Sequence, residues 1–117
     1  MIRSVLLFVL IACNSSHPAA STPSDHEMTS MPPELAKFHD VLAPHWHAAQ
    51  GQQRMTDTCG VIGDFKTSAD AAKNPPLVDA VAGLATACSG TDLAAFDAAF
   101  AKVHESFHAA MDAGHGK

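Results

Sequence analysis

The chain has 117 residues, 47% of them hydrophobic, and a formal net charge of −5 when histidine is counted as neutral. Because 12 acidic side chains accompany only 7 Lys and Arg, no basic surface is expected, which disfavours nucleic acid and anionic lipid headgroups as partners. The 8 histidines outnumber Lys and Arg together and favour metal binding or pH-dependent chemistry.

The first element in the chain is an export signal. Arg3 precedes an apolar run, residues 5–12, that is too short to span a bilayer as a helix. The run leads into Leu-Ile-Ala-Cys at residues 10–13, which resembles the lipobox of bacterial lipoproteins. The resemblance implies that residues 1–12 are removed as a signal peptide and that Cys13 is acylated. It also implies an extracytoplasmic protein held at a membrane by its acyl chains, in the periplasm or at the outer membrane of a Gram-negative cell.

The next segment, residues 13–33, is rich in Ser, Thr and Pro and has no apolar periodicity. Such a composition buries too little surface to fold. We therefore expect a flexible tether between Cys13 and a folded domain of residues 34–113, with residues 114–117 as a tail.

Four segments of the domain show apolar residues at helical spacing. Gly60 and Gly63 weaken the second segment, and Thr91 is a candidate cap for the fourth. Because the links are short and no strand pattern competes, an all-α, up-down-up-down four-helix bundle is predicted. The segments run from Glu34 to Ala49, from Gln53 to Ala72, from an Asn74 cap and Pro75 to Cys88, and from Thr91 to about Gly114.

Proline 44 lies inside the first predicted helix, where it removes a backbone hydrogen bond. It falls opposite the apolar stripe, so that water can satisfy the freed carbonyl and a kink is tolerable. A helix break at Ala43 is the alternative.

Two cysteines, Cys59 and Cys88, are equidistant from the turn between the second and third predicted helices. Antiparallel helices place such residues at the same height, and an extracytoplasmic compartment is oxidising. A disulfide between them is predicted, with two buried free thiols as the alternative.

Residues 104–108 read His-Glu-Ser-Phe-His, the short signature of zinc metalloproteases. The proteolytic interpretation is disfavoured because Glu105 projects about 165° away from the apolar stripe at 100° per residue. Few candidate third ligands follow His108, and no substrate-binding strand is predicted. A di-iron site is disfavoured because residues 52–90 contain no His or Glu. We therefore expect no enzymatic activity.

The histidines of the first and last helices permit another kind of site. His104 and His108 share a helix face, and His39 is at matching height on an antiparallel partner. Three imidazoles at this seam suit Zn²⁺, Cu²⁺ or Ni²⁺. If the opposite flank of the first helix faces the last one, His45 replaces His39. His47 is expected to project outward in both cases.

The function predicted from these residues is divalent transition-metal binding by a lipid-anchored helical protein acting as a buffer, sensor or chaperone. Asp40, Asp97, Met111 or water is expected to complete the site. The alternative is a non-catalytic interaction or structural lipoprotein whose histidines only cover the core edge. Binding of b-type haem is only a minor alternative. The aromatic residues that could line a haem pocket, Phe96, Phe100 and Phe107, are expected to be ordinary core residues.

Overall fold

The computed structural model describes residues 31–115, and all regular structure within them is helical. The all-α class is confirmed. The predicted export signal, Cys13 and nearly all of the predicted tether lie outside the described residues. The five helices are α1 (Pro33–Trp46), α2 (Gln52–Gly60), α3 (Ile62–Ala72), α4 (Pro75–Cys88) and α5 (Leu93–His115).

Helix α1 begins at Pro33, whose missing N–H costs nothing in the first turn, and it carries Glu34 in that turn. The helix continues through Pro44 and ends at Trp46, three residues before the predicted Ala49. Pro44 is exposed, as predicted, so water can hydrogen-bond the carbonyl that a proline leaves without a donor. The alternative break at Ala43 does not occur.

The second predicted helix is divided into α2 and α3 at Val61, whose φ of −115° and ψ of 21° are not helical. Its N–H donates to the Thr58 carbonyl at 3.1 Å, and its own carbonyl accepts from Asp64 at 2.9 Å. Gly60 and Gly63 flank this residue, and glycine lowers helix stability by about 1 kcal/mol relative to alanine. The break therefore lies at the weakest point of the segment.

Side-chain caps begin the last two helices. Asn74 Oδ1 accepts the Leu77 N–H at 3.1 Å ahead of Pro75, as predicted. The predicted Thr91 cap is wrong, because Asp92 Oδ1 accepts the N–H groups of Ala94 and Ala95 at 3.0 and 3.3 Å. A carboxylate at this position also interacts favourably with the helix dipole.

The core is built around five buried phenylalanines, one from α1, one from α3 and three from α5. Their rings form edge-to-face, tilted and stacked pairs with centroids 5.4–6.0 Å apart, each worth about 0.5–1.5 kcal/mol beyond burial. The prediction that the α5 phenylalanines are core residues is confirmed. The five are Phe38, Phe65, Phe96, Phe100 and Phe107.

The helices do not share their contacts equally. Helix α4 packs most extensively against α5, and α1 packs mainly against α3 with a smaller contact to α5. Because the contact between α1 and α5 is small, a groove remains between these two helices. Within residues 31–115, no helix combines the length and apolarity that crossing a membrane requires.

A disulfide joins Cys59, near the end of α2, to Cys88 at the end of α4, with Cα atoms 5.5 Å apart. The predicted pairing is confirmed. Both cysteines are half-buried and pack against the core, so the bond connects two helices at the core edge.

Candidate functional site

The groove between α1 and α5 has a volume of about 440 Å³ and collects four histidines. We call it the α1–α5 groove. The side chains of the α1 region that line it are Met31, His39, Leu42, Ala43, Trp46 and His47. Those of α5 are His104, Phe107, His108, Met111 and Asp112.

The packing of α1 decides which of its flanks faces α5. The His39 ring lies against Phe107 of α5, with centroids 5.7 Å apart. The His45 ring lies against Phe65 of α3 at 6.0 Å and does not line the groove. His39 is therefore the α1 histidine on the same side as His104 and His108, and His45 is not.

His104 and His108 are already close enough to act as a pair. Their Nε2 atoms are 3.1 Å apart, a hydrogen-bond distance that requires one ring nitrogen to carry a proton and the other to accept it. Two nitrogens that each lie about 2.0–2.1 Å from one metal ion are separated by a distance set by the nitrogen–metal–nitrogen angle. The separation is about 2.9 Å at a right angle and about 3.3 Å at the tetrahedral angle. The observed spacing lies between these values, so the distance between the two nitrogens fits one ion bound to both.

The surroundings of His104 favour its neutral form. Partial burial lowers its pKa below the ordinary value of 6.5, and the positive charges of His108 and His47 lower it further. Metal ions bind the neutral imidazole. A lowered pKa therefore keeps His104 able to act as a metal ligand at mildly acidic pH.

The Trp46 ring covers His104. The two rings are parallel within 9°, with centroids 3.9 Å apart. The Arg54 guanidinium of α2 lies 5.1 Å from the Trp46 centroid and 4.8 Å from that of Phe100. Arg54 is 5% exposed, and its Nε has no hydrogen-bond partner, so contact with the two aromatic faces contributes to its stabilisation. Trp46 thus contacts both Arg54 and His104.

His47, predicted to project outward, is exposed, but it also lines the α1–α5 groove, and its charge lowers the pKa of His104. The outward projection assumed a helix continuing to Ala49, whereas α1 ends at Trp46 and His47 is its C-cap. Sequence reasoning also missed Trp46 as a neighbour of the histidines, because a tryptophan on the apolar stripe reads as core.

Of the side chains expected to complete the site, Met111 lines the groove, but Asp40 and Asp97 do not. One Asp97 carboxylate oxygen is instead buried without a hydrogen-bond partner. Glu105 is exposed and absent from the groove lining. Among residues 31–115, no three His, Cys, Asp or Glu side chains are gathered closely enough to hold a metal ion. The structure thus brings two imidazoles together and leaves the others nearby.

Comparison with known proteins gives no relative: no family model, no curated protein and no solved structure matches this chain.

Proposed function

We propose that the α1–α5 groove binds one divalent transition-metal ion, with His104 and His108 as its first two ligands. The observation that carries the proposal is the 3.1 Å separation of their Nε2 atoms, which fits the spacing of two nitrogens on one ion. The lowered pKa of His104 supports it, because a neutral ring needs no deprotonation before it binds.

A third ligand comes from the α1 side of the groove. His39 and His47 line that side and are the candidates, and either must change its side-chain position to bind, because no three such side chains of residues 31–115 are gathered closely enough as they stand. Imidazole ligands suit Zn²⁺, Cu²⁺ and Ni²⁺, and Cu²⁺ binds such sites most tightly in the ordinary order of affinities. The groove is open to solvent on this side, so the ion enters without unfolding of the core.

The same proposal covers the protein's place in the cell. The lipobox-like residues 10–13 support acylation at Cys13 and export to an oxidising compartment, and the Cys59–Cys88 disulfide is typical of such a compartment. The tether predicted over residues 13–33 separates the helices from the membrane surface, although its last residue, Pro33, is already the first residue of α1. The protein then buffers, senses or delivers the metal without catalysing a reaction.

We further propose that α2 and α3 together form the second arm of an up-down-up-down bundle. Three contacts support this arrangement: the level pairing of Cys59 with Cys88, the long contact between α4 and α5, and the position of Pro32 beside Gly114. The last contact brings the start of α1 to the end of α5, as the antiparallel bundle requires.

Calorimetric titration of the full-length protein in detergent with Zn²⁺, Cu²⁺ and Ni²⁺ tests metal binding. One site per chain is expected, and His108→Ala is expected to weaken it at least tenfold because it removes half of the imidazole pair. The helical circular-dichroism signal stays unchanged, since the His108 side chain is exposed.

The matched control is His45→Ala, which removes a histidine of the same helix as His39 but on the flank that faces α3. Its affinity is expected to equal that of the wild type. His39→Ala and His47→Ala then identify the third ligand. If His108→Ala binds as tightly as the wild type, or His45→Ala weakens binding equally, the histidines only cover the core edge. The protein is then better described as an interaction lipoprotein without metal.

A further inference from the structure

The α1–α5 groove has a second kind of ligand at its other end. The start of α1 lies beside the end of α5, since a Cβ placed on Gly114 would be 3.8 Å from Pro32 Cγ. Met31 directly precedes Pro32, and Met111 is three residues before Gly114. Both methionines are half-buried, pack against the core and line the groove. The two methionines therefore line the end of the groove away from Trp46.

Imidazoles lie next to these sulfurs. His108 is three residues from Met111, so the two side chains are neighbours on the surface of α5. His39 lines the same groove from α1. The groove thus has nitrogen ligands at the Trp46 end, sulfur ligands at the Met31 end, and two histidines between them.

This donor set selects a different ion from the one that three imidazoles select. Thioether sulfur is a soft ligand that favours Cu⁺ over Zn²⁺ or Ni²⁺. Both cysteines of residues 31–115 are joined in the disulfide, so within this part of the chain only methionine offers free sulfur. Asp112 also lines this end, but a carboxylate prefers harder cations and adds nothing to the affinity for Cu⁺.

We propose that Met31 and Met111, together with His108 or His39, form a binding site for monovalent copper adjoining the proposed divalent site. The inference rests on the proposed function, since both ions use the same groove, and it names copper as the metal handled. The methionine end binds Cu⁺, and the imidazole end binds Cu²⁺.

A methionine thioether has no proton to lose, whereas each imidazole must be neutral to bind. Loss of affinity as the pH falls from 7 to 5 is therefore smaller for Cu⁺ than for Cu²⁺. Ordinary core packing by Met31 and Met111 predicts no such difference.

The test is an anaerobic titration of the full-length protein with Cu⁺ in competition with bicinchoninate, a chromophoric Cu⁺ chelator. Met111→Leu and Met31→Leu keep the side-chain volume and remove the sulfur. Each is expected to weaken Cu⁺ binding at least tenfold, and Met31→Leu, which has no role in the proposed divalent site, is expected to leave Zn²⁺ binding unchanged. Copper K-edge absorption is expected to show sulfur bound to Cu⁺ in the wild type and less sulfur in each variant.

Met55→Leu is the control, because Met55 is buried in the core and does not line the groove. It is expected to leave Cu⁺ affinity unchanged. If Cu⁺ affinity is the same in Met111→Leu, Met31→Leu and wild type while His108→Ala still weakens Zn²⁺ binding, the methionine site is refuted and the divalent site stands. If the wild type binds neither ion, both proposals fail.

Discussion

Three side chains next to His104 interact with its ring or affect its protonation. Trp46 stacks on its ring, His108 shares a hydrogen bond with it, and His47 lies near enough to oppose its protonation. Its pKa is lowered first by burial and then by the charges of the other two histidines. Trp46 is the only tryptophan of the chain, so the tryptophan fluorescence reports on the surroundings of this one ring, including the stacked His104.

We predict that acidification destabilises the folded protein through His104. The unfolded chain binds a proton to this residue near pH 6.5, whereas the folded chain does so only at lower pH. Stability is therefore unaffected by His104 above pH 6.5, falls as the pH drops below that value, and stops falling below the lowered pKa. Thermal melts between pH 8 and pH 5 measure this dependence.

Trp46 emission is expected to decrease over the range in which His104 protonates, because a protonated imidazole quenches a stacked indole. His108→Gln removes a positive charge near His104 and is expected to move the fluorescence transition toward pH 6.5. His45→Gln, whose ring contacts Phe65, is the control and leaves the transition in place. Identical transitions in the wild type and His104→Gln would show that another group is responsible.

Among the helices, α2 depends most on its connections. It has 9 residues, contains no side-chain N-cap and follows Gly51, whose φ of +141° favours glycine. A helix of that length is marginal without tertiary contacts. Its anchors are the disulfide at Cys59 and the buried side chains of Arg54, Met55 and Thr58. Because Arg54 also contacts Trp46, loosening of α2 is transmitted to the groove.

We predict that replacing Cys59 and Cys88 together by alanine strongly lowers thermal stability. The disulfide closes a loop with a sequence separation of 29. The chain-entropy model assigns such a loop about 3–4 kcal/mol of stabilisation, which for a domain this small corresponds to roughly 15–25 °C in Tm. Differential scanning calorimetry measures the change.

Thr56→Ala supplies the control for the disulfide variant. It lies on the exposed face of α2, where its hydroxyl donates to the Gln52 carbonyl of the same helix. Its Tm is expected to change by only a few degrees, since surface substitutions usually cost less than about 0.5 kcal/mol. If the double cysteine variant has the same Tm as Thr56→Ala, packing alone and not the disulfide holds α2 in place.

For the whole molecule, the important feature is where the proposed tether enters the domain. The tether reaches the folded part at Met31, which lines the α1–α5 groove next to the end of α5. The proposed membrane attachment through Cys13 would keep the groove within a tether's length of the lipid surface. The metal-binding site proposed in the groove would there meet ions that cross or leave that membrane.

We predict that Cys13→Ser prevents acylation and releases the protein from the membrane, because the lipid is attached through the cysteine sulfur. Fractionation of envelopes followed by immunoblotting, with metabolic labelling by a palmitate analogue, measures both effects. Ser16→Ala, three residues further along and outside the lipobox-like sequence, is the control and stays membrane-bound and labelled. Labelled, membrane-bound Cys13→Ser protein would rule out the lipobox interpretation.

Much of the local structure followed from the sequence. Apolar residues at helical spacing indicated the helices and the phenylalanine core, Asn74 and Pro75 marked the start of α4, and the symmetric spacing of Cys59 and Cys88 indicated their disulfide. These features depend on neighbours in the chain or on one antiparallel turn, so a pattern along the sequence is enough to reveal them. The Val61 break was harder to place, because flanking glycines weaken a helix without specifying where it ends.

The groove was decided by tertiary structure. A helical projection gives the angle between His39 and His45 on α1 but not the rotation of α1 relative to α5. Packing of α1 against α3 sets that rotation, placing His45 on Phe65 and His39 on Phe107. The end of α1 at Trp46 then brings His47 into the groove, and the Trp46 ring stacks on His104. The contacts of α1 with α5 join residues that are far apart in the sequence, such as His39 with Phe107 and Trp46 with His104. Their geometry depends on the packing of the whole core, which no local pattern encodes.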